Sequence, residues 1–257
     1  MAKATTKKSA AAAAPSKSSA SASASMGRVS LRGELSLGAL VAELLGSAVL
    51  AFAALTTANN PILAALAVVV VILIFGEVSG GYLNPVVVAA AWATKQLSWV
   101  KAVGYIVVQV LGAMLAYVIV SKFMKDSGVY SLFTAANDPS VSAGYATARA
   151  PGEWKPIFGE LVGSIVFSFG VASALLGKKM GFDKAFTIGG ALMVGLVAAL
   201  AGSYAVVNPA VATALSAFAQ GGWWSFGAYA IAPLVGGALG AWVFALLKRD
   251  ADATNNA

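Results

Sequence analysis

Long apolar runs separated by short polar breaks dominate the chain from about residue 36 to residue 247. A helix needs roughly 20 predominantly apolar residues to cross a hydrocarbon core. Six segments have that length, near 36–56, 61–79, 99–121, 157–176, 185–203 and 225–247. Two further apolar stretches, 85–94 and 209–218, are too short to cross. Each opens on an Asn-Pro pair inside apolar sequence, GGYLNPVVVAAA at 80–91 and AVVNPAVATALS at 205–216. Proline lacks a backbone N–H and disfavours helix in the residue before it. Non-helical backbone at membrane depth is tolerated only where it is packed in protein or lines a water-filled cavity. The pattern therefore predicts an all-α membrane protein, with six transmembrane helices and two re-entrant half-helices.

The pattern also repeats. Residues 42–52 read AELLGSAVLAF and residues 159–169 read GELVGSIVFSF, an offset of 117. Asn84-Pro85 then pairs with Asn208-Pro209 at an offset of 124, and so do Trp99 with Trp223, Tyr105 with Tyr229, Val107 with Ile231 and Gly112 with Gly236. Each half holds three spans and one short helix, so the halves lie in opposite orientations. Such inverted repeats bring discontinuous helices together near the midplane. Asn84 and Asn208 read as N-caps, with Pro85 and Pro209 at the first helical position, where the missing N–H costs nothing. Two half-helices would then aim their N-termini at each other, each carrying about half a positive charge. With the asparagine amide donors added, the meeting point is polar and repels cations.

Composition narrows the chemistry. The chain is 59% hydrophobic and 11% charged, against about 25% charged residues in soluble domains. It holds no cysteine and no histidine, which removes disulfides, thiolate nucleophiles and the commonest general base and metal ligand. No nucleophile stands beside a base, so no enzyme and no cofactor or metal site is expected. The net charge of +7 is no nucleic-acid signal, because the basic residues fall in tails and loops. Placing the N-terminus inside puts thirteen Lys and Arg residues on the cytoplasmic side and four outside; the excess predicts cytoplasmic termini. A bacterial-type cell membrane is assumed. Residues 1–33, rich in Ala, Ser and Lys, read as a disordered basic tail, with a transit peptide as the alternative. The remaining divisions are a first repeat at 34–122, a long outer loop at 123–154, a second repeat at 155–247 and a tail at 248–257.

SGGYLNPVV at 79–87, VNPAV at 207–211, the Glu-x-x-Gly-Ser pattern of spans one and four, and Tyr105, Gln109 and Gly112 in span three carry a resemblance. Over about 36–247 the sequence resembles the major intrinsic protein family, the aquaporins and glycerol facilitators. The resemblance implies a homotetramer in membrane lipid, each subunit with its own pore for water or a small neutral solute. It assigns the orienting of water to Asn84 and Asn208. The first motif departs from the family's, since Val86 follows Asn84-Pro85 where Ala210 follows Asn208-Pro209. The family's outer selectivity filter falls on Ala64, Leu196, Ala205 and Val211. Water-selective relatives place an aromatic residue, a histidine and an arginine at three of these positions, and Val211 stands where the arginine does. The expected filter is therefore wider and apolar, with cation exclusion left to the Asn-Pro centre. Ala212 replaces the aspartate of glycerol facilitators, which leans away from that branch.

Glu43 and Glu160 lie within spans, where carboxylates are expensive. They serve either a proton relay or, as the favoured reading, as acceptors for the backbone of the neighbouring broken helix. Gln109 is expected to satisfy a loop carbonyl. Glu77 either faces the inner vestibule or is solvated at the pore mouth. The small residues at 112–113, 189–191, 236–238 and 240–241 predict close helix packing, and Trp99, Trp223 and Trp224 fit an interfacial belt. The function expected is a passive channel for water and small neutral solutes. The alternatives are a glycerol or small-solute facilitator, a secondary transporter, and a non-conducting structural member of the same fold.

Overall fold

The computed structural model describes residues 35–124, 154–218 and 222–255. The readings made for the basic tail and for most of the 123–154 loop lie outside these residues. Ser36 caps α1 (Leu37–Thr56), its Oγ accepting from the Ala39 N–H at 3.1 Å. Asn60 caps α2 (Pro61–Ser79), which stops at Gly80 in the left-handed region. The first half-helix, α3 (Pro85–Ala93), follows, and Ser98 caps α4 (Trp99–Phe123). The second half repeats the order with α5 (Lys155–Leu176), α6 (Gly181–Ala199) and the half-helix α7 (Pro209–Ala214). The last span begins as α8 (Gly222–Phe226), passes through one π-helical turn at Gly227–Ile231 and continues as α9 (Ala232–Asn255). Six helices among the described residues are long and apolar enough to cross a membrane. Their outward faces stay apolar: on α2, Val68 and Ile72 are buried while Leu66, Val70 and Ile74 are exposed. A helix apolar all round suits a lipid surround.

The halves interlock rather than stand side by side. Within the first repeat α1 packs on α4 and α2, and within the second α5 packs on α6 and α9. Across the repeats, α2 packs on α6. Each half-helix lies chiefly against the third span of the other repeat, α3 on α9 and α7 on α4. Glycine permits the closest approaches. A Cβ on Gly112 would strike the Leu44 carbonyl of α1, and one on Gly236 would strike the Leu161 carbonyl of α5. Leu44 and Leu161 are themselves repeat partners, so the two crossings are the same contact made twice.

Several boundaries differ from the sequence reading. Span five runs four residues earlier than expected, 181–199 rather than 185–203, because residues 200–203 turn to bring Ser203 onto Glu160. The second half-helix ends at Ala214 rather than 218, where Ser216 takes a positive φ of 55°. The first stops at Ala93, one residue short of the reading. Residues 248–255 continue α9 past the apolar span, with a Lys248–Asp252 pair at 3.2 Å.

Gly112→Val should force α1 and α4 apart at the Leu44 carbonyl. Overpacking of this kind costs about 1–3 kcal/mol, so the melting temperature of the detergent-purified protein should fall. Gly190→Ala, where an added Cβ meets nothing within 4 Å, should leave it nearly unchanged.

Candidate functional site

The site is built on two re-entrant loops, 80–84 and 204–208, each wrapped around one buried carboxylate. Glu43 on α1 is fully buried. Its Oε1 accepts from Ser79 Oγ at 2.6 Å and the Tyr82 N–H at 3.0 Å; its Oε2 accepts from the Leu83 N–H at 2.6 Å and Gln109 Nε2 at 2.7 Å. Glu160 on α5 repeats the arrangement. Its Oε1 accepts from Ser203 Oγ at 2.7 Å and the Val206 N–H at 2.8 Å, and its Oε2 from the Val207 N–H at 2.7 Å. Ser79, Tyr82 and Leu83 match Ser203, Val206 and Val207 at the 124-residue offset. Every bond described to the two carboxylates is accepted from a loop N–H, a serine hydroxyl or the Gln109 amide. Gln109 differs from expectation: its amide donates to Glu43 rather than to a loop carbonyl. The reason is reach, since α4 crosses α1 at the level of that carboxylate.

These bonds hold a backbone that the side chains resist. Leu83 and Val207 both sit at positive φ, 57° and 47°, a region that bulky and β-branched residues rarely enter. Such conformations cost about 1–3 kcal/mol each and persist only where neighbours fix them. Leu83 is held through its N–H on Glu43 and its carbonyl, which accepts from Ser47 Oγ at 3.0 Å. Val207 is held through its N–H on Glu160 and its carbonyl, which accepts from Asn84 Nδ2 at 3.0 Å. The chain then turns into the half-helices. Asn84 Oδ1 accepts from the Val86 N–H at 2.8 Å, and Asn208 Oδ1 accepts from the N–H groups of Ala210 at 3.0 Å and Val211 at 3.2 Å. Pro85 and Pro209 occupy the first helical positions, and Val86 is fully buried in the core without displacing the cap.

The two asparagines are not equivalent. One N–H of Asn84 is spent on the Val207 carbonyl, which ties the loops together. Asn208 Nδ2 has no bond to another described residue, and Asn208 lines a cavity with Ala64, Leu196 and Val211. The cavity holds about 20 Å³, on the order of one water. Leu50, Val68 and Leu192 line the same cavity, so its wall is largely apolar. Ala205 is not on this wall. It is buried at a positive φ of 53°, and its carbonyl accepts from Asn59 Nδ2 at 2.9 Å. Val206 and Asn59 line the cavity instead. Asn59 was legible only as one of the two asparagines of TTANN; Asn60 caps α2 and leaves Asn59 to reach across.

A family model for the major intrinsic protein matches residues 30–244. The chain belongs to the major intrinsic protein family. It is 29% identical over 212 residues to the glycerol uptake facilitator protein-like 6 of Lactiplantibacillus plantarum, covering 78% of this chain and 94% of that one. It is 28% identical over 197 residues to the aquaporin Z of Bradyrhizobium diazoefficiens, covering 72% of this chain and 77% of that one. Among solved structures, the aquaglyceroporin from Plasmodium falciparum superposes with a TM-score of 0.56 at 23% identity, covering 80% of this chain and 92% of that one. This last likeness is one of fold. As a family member with six apolar helices, the chain is a multi-pass integral membrane protein, and its family is one of channels rather than enzymes.

Glu160→Gln keeps one carbonyl oxygen and places an N–H₂ where the other carboxylate oxygen accepts, against the N–H of Val207 or that of Val206. Leaving buried donors unpaired costs about 1–3 kcal/mol each, so the melting temperature should drop and the purified yield with it. A proton relay predicts the contrary pattern, an intact fold with altered proton flux.

Proposed function

We propose that this chain is a passive channel for water, in which small neutral solutes are limited by the apolar ring of Ala64, Leu196 and Val211. The observation that carries this reading is the open Asn208 amide beside a cavity sized for about one water. A donor aimed into an apolar constriction orients a passing water through its oxygen. The two half-helix N-termini add partial positive charge that disfavours cations. Asn84 and Asn208 are proposed as the water-orienting pair, and Val206 and Asn59 join the ring in place of Ala205. Glu43 and Glu160, with Gln109 beside Glu43, support the loops and take no part in transport, which speaks against a coupled transporter. The similarity to a protein named as a glycerol uptake facilitator keeps glycerol as the second solute to test. A homotetramer in the cell membrane with both termini cytoplasmic completes the proposal.

The test is stopped-flow light scattering on proteoliposomes, with a sucrose step and then a glycerol step. The protein should speed shrinkage well above empty liposomes under sucrose and leave the glycerol trace near control. Leu196→Ala should open the ring to glycerol. Val211→Arg should lower water flux several-fold by filling a cavity of about 20 Å³. Rates equal to empty liposomes for the unmodified protein would refute the water reading.

A further inference from the structure

Among the described residues, an ammonium is fixed on the re-entrant loop at one mouth and a neutral amide on the loop at the other. At the cavity side, Asn59 precedes α2 and donates from Nδ2 to the Ala205 carbonyl of the other repeat's loop at 2.9 Å. At the other side, Lys184 in the first turn of α6 donates from Nζ to the Gly80 carbonyl of the other repeat's loop at 2.7 Å. Under the 124-residue offset Asn59 falls on Asp183 and Gly81 on Ala205, each one residue from the groups that bond. The same clasp is therefore made twice, once with a neutral amide and once with an ammonium. The neutral clasp lines the narrow cavity beside Val211. The charged clasp lines a second cavity, of about 140 Å³, with Ile72, Gly76 and Glu77.

We infer that Lys184 is a second cation barrier of this pore, beside the half-helix N-termini, its ammonium fixed on the Gly80 carbonyl at the mouth opposite the apolar ring. This rests on the channel reading above and adds a residue that contributes to its ion specificity. The position is held, not swept by a free side chain. Nζ is anchored on backbone, the side chain is half-buried, and the ammonium lies 5.9 Å from the centre of the Tyr82 ring. Tyr82 is itself fixed through its N–H on Glu43. Glu77 lines the same cavity but is exposed and makes no ion pair with Lys184; among the described residues the only ion pair is Lys248–Asp252. A positive charge lining the path raises an electrostatic barrier to cations while leaving neutral molecules free.

Three substitutions separate charge from clasp. Lys184→Arg keeps both, Lys184→Gln keeps a donor without charge, and Lys184→Met keeps neither. Each is reconstituted into liposomes. Proton flux is read with an entrapped pH dye under a clamped potential, sodium by tracer uptake, and water by the sucrose step. The inference expects arginine to match the unmodified protein, and glutamine and methionine to leak protons and sodium about tenfold more. Water flux should move less than about twofold in all of them. Glutamine as tight as lysine would overturn the inference, whether or not methionine leaks. Leakage of the entrapped dye itself from the glutamine variant would also overturn it, since that marks a general packing fault. If the unmodified protein passes no water, the proposed function fails, and the comparison of glutamine with lysine still decides the ion barrier.

Discussion

The structure depends on a carboxylate buried in each half accepting two backbone N–H groups of its re-entrant loop. Backbone in hydrocarbon has no water to bond, and each unsatisfied group costs several kcal/mol. A helix solves this for itself; the four or five residues before each half-helix do not. Glu43 and Glu160 solve it for them, and the loop donors in return pair a charge that would otherwise be prohibitive to bury. A serine at the end of the preceding helix (Ser79) or in the turn just past it (Ser203) completes the set. The positive φ at Leu83 and Val207, the turn into each asparagine cap and the placing of both half-helix N-termini follow from those bonds.

The duplication is close but not perfect, and the departures fall on the functional elements. Gln109 adds a fourth donor to Glu43, while its partner in the second half is Pro233, which offers no side-chain donor. Ser47 takes the Leu83 carbonyl, whereas the matching Val207 carbonyl is taken by Asn84. The first loop is thus the more heavily bonded, and the second leaves Asn208 with an uncommitted amide. A repeat that began as two equal halves has become a rigid side and an available side.

Much of this was legible in the sequence because membrane burial leaves few choices. Span length, the paired Asn-Pro breaks and the matched Glu-x-x-Gly-Ser segments each report a constraint that no other arrangement satisfies. Gly112 and Gly236 could be named as packing positions because their equivalence survives in the spacing. What the sequence did not disclose depends on the course of backbone between regular elements. Ala205 falls one residue from the cavity wall, in a loop where φ turns positive. Span five was displaced because apolar composition continues past Ala199 into residues that turn. The missing arginine suggested space, but composition at four positions does not reveal which side chains around them line the cavity.

The exchange of half-helices bears on how the chain is made. The first half-helix, α3, finds its chief packing surface on α9, which is translated long after it. During synthesis the first repeat therefore waits, with a short helix too brief to span the bilayer and a loop secured only within its own repeat, by Glu43, Ser47 and Ser79. Contacts of such sequence separation form late and slowly. The first repeat is completed only when α9 arrives, so a chain truncated within α9 would leave unsupported the half that was translated earlier.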